Sequence, residues 1–153
     1  MSNLFGEEIT YNGKKYFSFP TPKKLAGLTE EDLAPLKAGY RAKYIIDAAK
    51  KVYNGEVDIY SLFEQDTKKA REELLKIKGV GPKVADCILL FSLKKHDAFP
   101  IDVWIGRIMR SLYLTENATM KEILEYSEQN FSGYAGFAQQ YLFYYARENK
   151  IID

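Results

Sequence analysis

The chain has 153 residues, 46% hydrophobic and 28% charged, with a net charge of +1. That is an ordinary globular composition, enough for one domain over 1–153 that buries roughly two-thirds of its unfolded surface; the near-neutral balance excludes a global field toward nucleic acid or membrane. Any nucleic-acid contact must therefore come from a local basic patch.

One cysteine excludes an intrachain disulfide and a cysteine-rich metal site, and it fits a reducing cytoplasm. No apolar run approaches the roughly 20 residues that span a bilayer, and Met1–Glu8 lacks a signal peptide's apolar core. Aromatics reach 14%, with twelve Tyr and nine Phe, which suits a ring-rich core or a stacking surface equally well.

In chain order, Asn12-Gly13 between short alternating runs predicts a small hairpin. Pro20 and Pro22 hold the following segment extended. Thr29 with Asp32 predicts a capped helix to about Ala38, with Pro35 inside it. Gly39-Tyr40-Arg41 interrupts before a helix from Ala42 to Tyr53, whose Ile45, Ile46, Ala49 and Val52 recur at helical spacing and which Gly55 stops. One turn is expected over 58–63. Asp66 or Thr67 then caps a helix with Ala70, Leu74 and Ile77 on its inner face, running to Gly79-Val80-Gly81.

Pro82 suits the first position of the next helix, 82–92, with an expected apolar stripe of Val84, Cys87, Ile88 and Phe91. His96 reads as a solvated turn residue. Asp102 is placed to cap a helix over 102–113 that buries Ile105, Ile108, Met109 and Leu112. Thr119 with Glu122 predicts a capping box on a helix to about Gln129. Ser132-Gly133-Tyr134 breaks it, and Gly136–Asn149 forms a last helix with a dense apolar and aromatic face. The expected fold is all-α, an orthogonal helical bundle with a helix–hairpin–helix motif at about 67–92.

Two glycines between helices allow a tight turn and a close approach, and free amides at the second helix start attract an anion. Such a contact grips a phosphate without reading bases. Lys76, Lys78 and Lys83 add positive charge; a plain helix corner with glycines for steric fit is the other reading. A lysine at a helix N-terminus is opposed by the helix dipole, which favours the neutral, nucleophilic amine. On position alone, the more common reading of Lys83 is a solvated side chain or a simple phosphate partner. Asp102 reads either as a structural cap or as a carboxylate that also stabilises positive charge on a sugar ring. Cys87, one turn after Lys83, reads as a small buried group.

Gly79-Val80-Gly81-Pro82-Lys83-Val84-Ala85-Asp86-Cys87, followed by Pro100-Ile101-Asp102, resembles the helix–hairpin–helix, Gly-Pro-Asp-type DNA glycosylases, and among them the 8-oxoguanine DNA glycosylase/AP lyase branch. Gly39-Tyr40-Arg41-Ala42-Lys43-Tyr44 resembles that family's wedge segment, and Tyr134–Phe143 its base-pocket helix.

The resemblance implies base excision repair on duplex DNA containing oxidised guanine. Lys83 would attack C1′ and cleave the strand through a Schiff base, with Asp102 stabilising the oxocarbenium-like transition state. Cys87 and Phe143 would sandwich the flipped base, and Gln139 would bond its Watson–Crick edge. Tyr40 would wedge into the duplex and Arg41 contact the orphaned cytosine. Gly79, Gly81 and Lys78 would grip backbone phosphate, with a monovalent cation at the hairpin carbonyls, no catalytic metal and no organic cofactor. Trp104 stands where animal members have a phosphate-contacting histidine. One cysteine excludes the iron–sulfur branches, and Lys83 sets the chain apart from branches that only hydrolyse.

Family members carry a further, mostly antiparallel-sheet domain, so the resemblance implies a C-terminal catalytic part lacking the upstream domain. Apolar surface exposed by that loss would favour a dimer. The expected setting is cytoplasmic, at the nucleoid in a bacterium. The competing expectation is a non-catalytic helix–hairpin–helix DNA-binding fragment that retains these residues by descent.

Overall fold

The computed structural model describes residues 1–151, whose regular elements are helices apart from one two-stranded sheet. They form two compact units, residues 1–60 with 76–79 and residues 61–75 with 80 onward.

The first unit holds α1 (Ser2–Phe5), β1 (Glu8–Tyr11), β2 (Lys14–Phe17), α2 (Pro22–Ala26) and α3 (Ala42–Tyr53). The expected hairpin forms, antiparallel and in register from Glu8↔Phe17 to Tyr11↔Lys14. Asn12 and Gly13 both have positive φ, as a two-residue turn matched to strand twist requires. Pro22 does more than extend the chain. It starts α2, which Thr21 caps by accepting from the Lys24 amide and whose Leu25 is buried.

The predicted helix over 29–38 does not form. The Thr29–Asp32 box closes, with Asp32 Oδ2 accepting from the Thr29 amide at 2.8 Å and from its hydroxyl at 2.9 Å. Pro35 has no N–H to bond back to Glu31, so three-residue bonds replace α-helical ones: Ala34 to Glu31 and Leu36 to Leu33. Left-handed Lys37 ends the turn. Leu33 nevertheless enters the core, fully buried against Ala42 and Ile46 of α3. That helix closes as predicted, with Gly55 at φ +74° and the Glu56 amide reaching back to Lys51.

The second unit holds α4 (Thr67–Leu75), α5 (Pro82–Ser92), α6 (Val103–Leu112), α7 (Met120–Phe131) and α8 (Ala135–Glu148). Asp66 caps α4 through the Lys69 amide at 2.9 Å. The helix stops at Leu75, short of the expected glycines, because the Lys78 amide bonds Asp47 Oδ2 at 2.7 Å instead of continuing the ladder. Ile77 is still buried, beyond the helix.

α6 packs on α7 and α8 around Phe99, Ile105, Ile108, Met109 and Ile123. Full burial of each such side chain contributes roughly 1.5–3 kcal/mol. Leu112, expected in this core, is 41% exposed at the last turn of α6. The capping box of α7 is complete.

The face of α5 is also corrected. Ala85, Asp86, Leu89 and Leu90 are buried, while Val84 and Phe91 are exposed and Cys87 and Ile88 half-buried. α5 is apolar nearly all round, so its periodicity could not set the phase.

Candidate functional site

The turn between α4 and α5 uses its two glycines differently. Gly79 has φ +83°, and a Cβ there would lie 2.5 Å from the Tyr44 ring. Gly81 sits at φ −95°, ψ 178°, with nothing within 4 Å of an added Cβ, so it leaves clearance at the helix start. Pro82 takes the first position of α5 and Lys83 the second, and Gly81 offers no side-chain cap to the amides of this turn. The Lys83 side chain is exposed, with no hydrogen bond or ion pair among the described residues.

Asp102 caps α6 as predicted, its Oδ1 accepting from the Ile105 amide at 2.8 Å. It is half-buried, and its other carboxylate oxygen makes no hydrogen bond among the described residues.

Gln139 on α8 is buried, and its Oε1 accepts from Gln140 Nε2. Its own Nε2 has no hydrogen-bond partner among the described residues. Phe143, one turn on, is half-buried against the α6 core.

A close helix contact relates these groups. A Cβ on Gly136 would lie 2.3 Å from Leu90 Cδ1 and 2.7 Å from the Ala98 carbonyl oxygen. Only a glycine lets α8 approach α5 this far. The Gly136 amide also bonds the His96 carbonyl at 2.8 Å. Leu90 follows Lys83 and Cys87 on one face of α5, and Gln139 and Phe143 follow Gly136 on one face of α8. Cys87 and Gln139 are thus each one turn from the crossing. His96 is half-buried and packs on Phe137 at 4.9 Å, which corrects the solvated reading.

The remaining groups lie in the first unit. Tyr40 is 63% exposed, with the Arg41 guanidinium 5.2 Å over its ring and Tyr44 edge-on at 6.0 Å. Lys78 is exposed. In the second unit Trp104 is half exposed, with the Arg107 guanidinium 5.6 Å over its ring.

A profile of the HhH-GPD superfamily of base excision DNA repair proteins matches residues 5–132. The chain belongs to that superfamily.

Three HhH-GPD relatives are close. A probable N-glycosylase/DNA lyase from Methanothermobacter thermautotrophicus is 36% identical, over 98% of this chain and 54% of that protein. The 8-oxoguanine glycosylase/lyase of Clostridium acetobutylicum, solved with double-stranded DNA containing cytosine opposite the lesion, is 46% identical with a TM-score of 0.86, covering 97% of this chain and 51% of that one. The structure of MBOgg1 with a low-affinity DNA ligand is 48% identical with a TM-score of 0.88, covering 97% and 52%. The chain spans about half the length of each of these three relatives. No helix among the described residues is long and apolar enough to cross a membrane.

Three features escaped the sequence reading. Gly136 against Leu90 and Ala98, and Tyr44 against Gly79, are contacts that no local pattern marks. Arg71 donates from Nε to Asp86 Oδ1 at 2.6 Å, joining α4 to α5. Burial pushes the Asp86 carboxyl up, and neighbouring Asp97 pushes the same way, while Arg71 opposes both. A single acid inside the apolar run 84–93, with an arginine on the preceding helix, was the available signal.

Proposed function

We propose that this chain is the part of an 8-oxoguanine DNA glycosylase/AP lyase that carries its reacting groups, all of 1–153 acting as one functional region of a longer type of enzyme. The observation that carries the reading is an uncommitted lysine, Lys83, in the first turn of a glycine-entered helix, in a chain 46% identical to a glycosylase/lyase of that class.

In this reading Lys83 Nζ, as the neutral amine, bonds to C1′ of a flipped nucleotide while the C1′–N9 bond breaks and its electron pair leaves with the base. Opening of the sugar ring gives the Schiff base, and loss of a C2′ proton then breaks the C3′–O bond. Asp102 stabilises the positive charge that builds on the sugar, using the carboxylate oxygen its cap leaves free. Cys87 and Phe143 sandwich the base, and the Gln139 amide, whose Nε2 has no partner among the described residues, meets its Watson–Crick edge. Tyr40 fills the gap in the duplex, Arg41 contacts the cytosine left behind, and Gly79, Gly81 and Lys78 hold backbone phosphate, with a monovalent cation at the hairpin carbonyls. Duplex DNA bearing oxidised guanine is the partner, in the cytoplasm, and association of copies through exposed aromatic surface belongs to the same reading.

Borohydride trapping tests it, on a duplex with 8-oxoguanine opposite cytosine and on an abasic duplex, with Lys83→Gln as control. A Lys83-dependent covalent band on both duplexes is the expected result. A band on the abasic duplex alone would make the chain a lyase without the lesion reader. No band, with salt-sensitive binding intact, would leave a DNA-binding fragment and end the catalytic reading.

A further inference from the structure

We infer that Arg71 and Asp86 are positioning residues for Lys83, an inference that rests on the catalytic reading above. Asp86 lies on α5 three residues after Lys83, is 4% exposed, and accepts from Arg71 Nε on α4 at 2.6 Å. The two helices pack on each other, and Ala70 and Leu74 of α4 and Ala85 and Leu89 of α5 are all buried. The hydrophobic drive behind such contact is non-directional and does not by itself aim a polar group. A charge-assisted hydrogen bond from a planar guanidinium fixes direction as well as distance.

Two more polar links brace the far end of the pair. Thr67 donates to Asp97 at 2.6 Å, and Lys95 Nζ donates to the Phe63 and Gln65 carbonyls. Of the three, the Arg71–Asp86 link is nearest Lys83 along the chain, one turn from it. A buried ion pair is often no more stable than well-packed apolar residues of its size, so its presence is better explained by the geometry it imposes.

The double variant Arg71→Met/Asp86→Leu separates positioning from stability, because it removes the directional link while leaving no buried charge unpaired. Its melting temperature should stay within a few degrees of the parent. Its maximal rate of borohydride trapping on an abasic duplex should fall about 10- to 100-fold, as a displacement near 1 Å of the reacting group would cause. The protein concentration giving half-maximal trapping should stay within about threefold, since no DNA-contacting group changes. Arg71→Lys, which keeps a cation opposite Asp86, should trap faster than Arg71→Met.

A double variant that keeps both its melting temperature and the parental trapping rate would overturn the inference while leaving the catalytic reading intact. If the double variant does not fold, Asp86→Asn decides: slower trapping at an unchanged half-saturation supports positioning, and the parental rate overturns it. A parent chain without a Lys83-dependent band would remove the catalytic reading and this inference together.

Discussion

Gly136→Ala sets two known effects against each other, and the structure says which wins. Replacing glycine by alanine in a helix gains at most about 1 kcal/mol of propensity, less in a first turn, where Gly136 sits. The new methyl would lie 2.3 Å from Leu90 Cδ1 and 2.7 Å from the Ala98 carbonyl oxygen. Leu90 can turn partly aside, though it is 8% exposed and closely surrounded. The Ala98 carbonyl is backbone of a fully buried residue, and the Gly136 amide is fastened to the His96 carbonyl beside it. Overpacking of this kind costs roughly 1–3 kcal/mol, and contact on two sides places this case near the upper end. The net loss is about 2 kcal/mol, which lowers the melting temperature by about 4–8 °C in a domain of this size.

Thermal unfolding followed by circular dichroism measures it. Adding Leu90→Ala should relieve part of the clash, so the double variant should be more stable than the sum of the single losses by about 1 kcal/mol. A Gly136→Ala protein that melts at or above the parent would refute the close-packing argument, and with it the claim that this crossing sets α8 against α5.

The two hairpin glycines should separate by assay. Gly79→Ala combines a positive φ with a clash on the Tyr44 ring and should cost about 3 kcal/mol. Gly81→Ala should melt within about 2 °C of the parent yet bind duplex DNA more weakly, and equal losses of stability would contradict the different roles assigned to them. Asp102→Asn keeps a good cap, so its melt should be unchanged while trapping falls about 100-fold; a trapping rate equal to the parent's would reduce Asp102 to a cap alone. The Thr119 amide and hydroxyl hold the Glu122 carboxyl below its ordinary value of 4.5. The stability this adds is complete above that pH and is lost as pH falls through the lower folded value. Melts of Glu122→Gln should therefore lie below the parent at neutral pH and converge with it in acid; a constant offset would refute the assignment.

What could be read from the sequence divides by the range of the forces involved. Caps and turns are local chemistry, and Asp102, Thr119–Glu122, Asn12-Gly13 and Gly55 act as their residue types require. The Thr29–Asp32 box also closed, but a cap only begins a helix, and Pro35 could not continue it. A helix with one apolar stripe could be phased, as in α6, where Ile105, Ile108 and Met109 are buried as expected and only Leu112, in the last turn, is exposed. α5 could not be phased this way, because Val84, Ile88, Leu89, Leu90 and Phe91 cover most of its circumference.

What fixes the rotation of α5 is long-range and polar. Arg71 on the preceding helix captures Asp86, and that turns Ala85 and Leu89 inward and leaves Val84 and Phe91 outside. The same rotation puts Lys83 in solvent and Leu90 against Gly136. A sequence motif could name the lysine, but the direction in which it points depends on an ion pair fifteen residues apart.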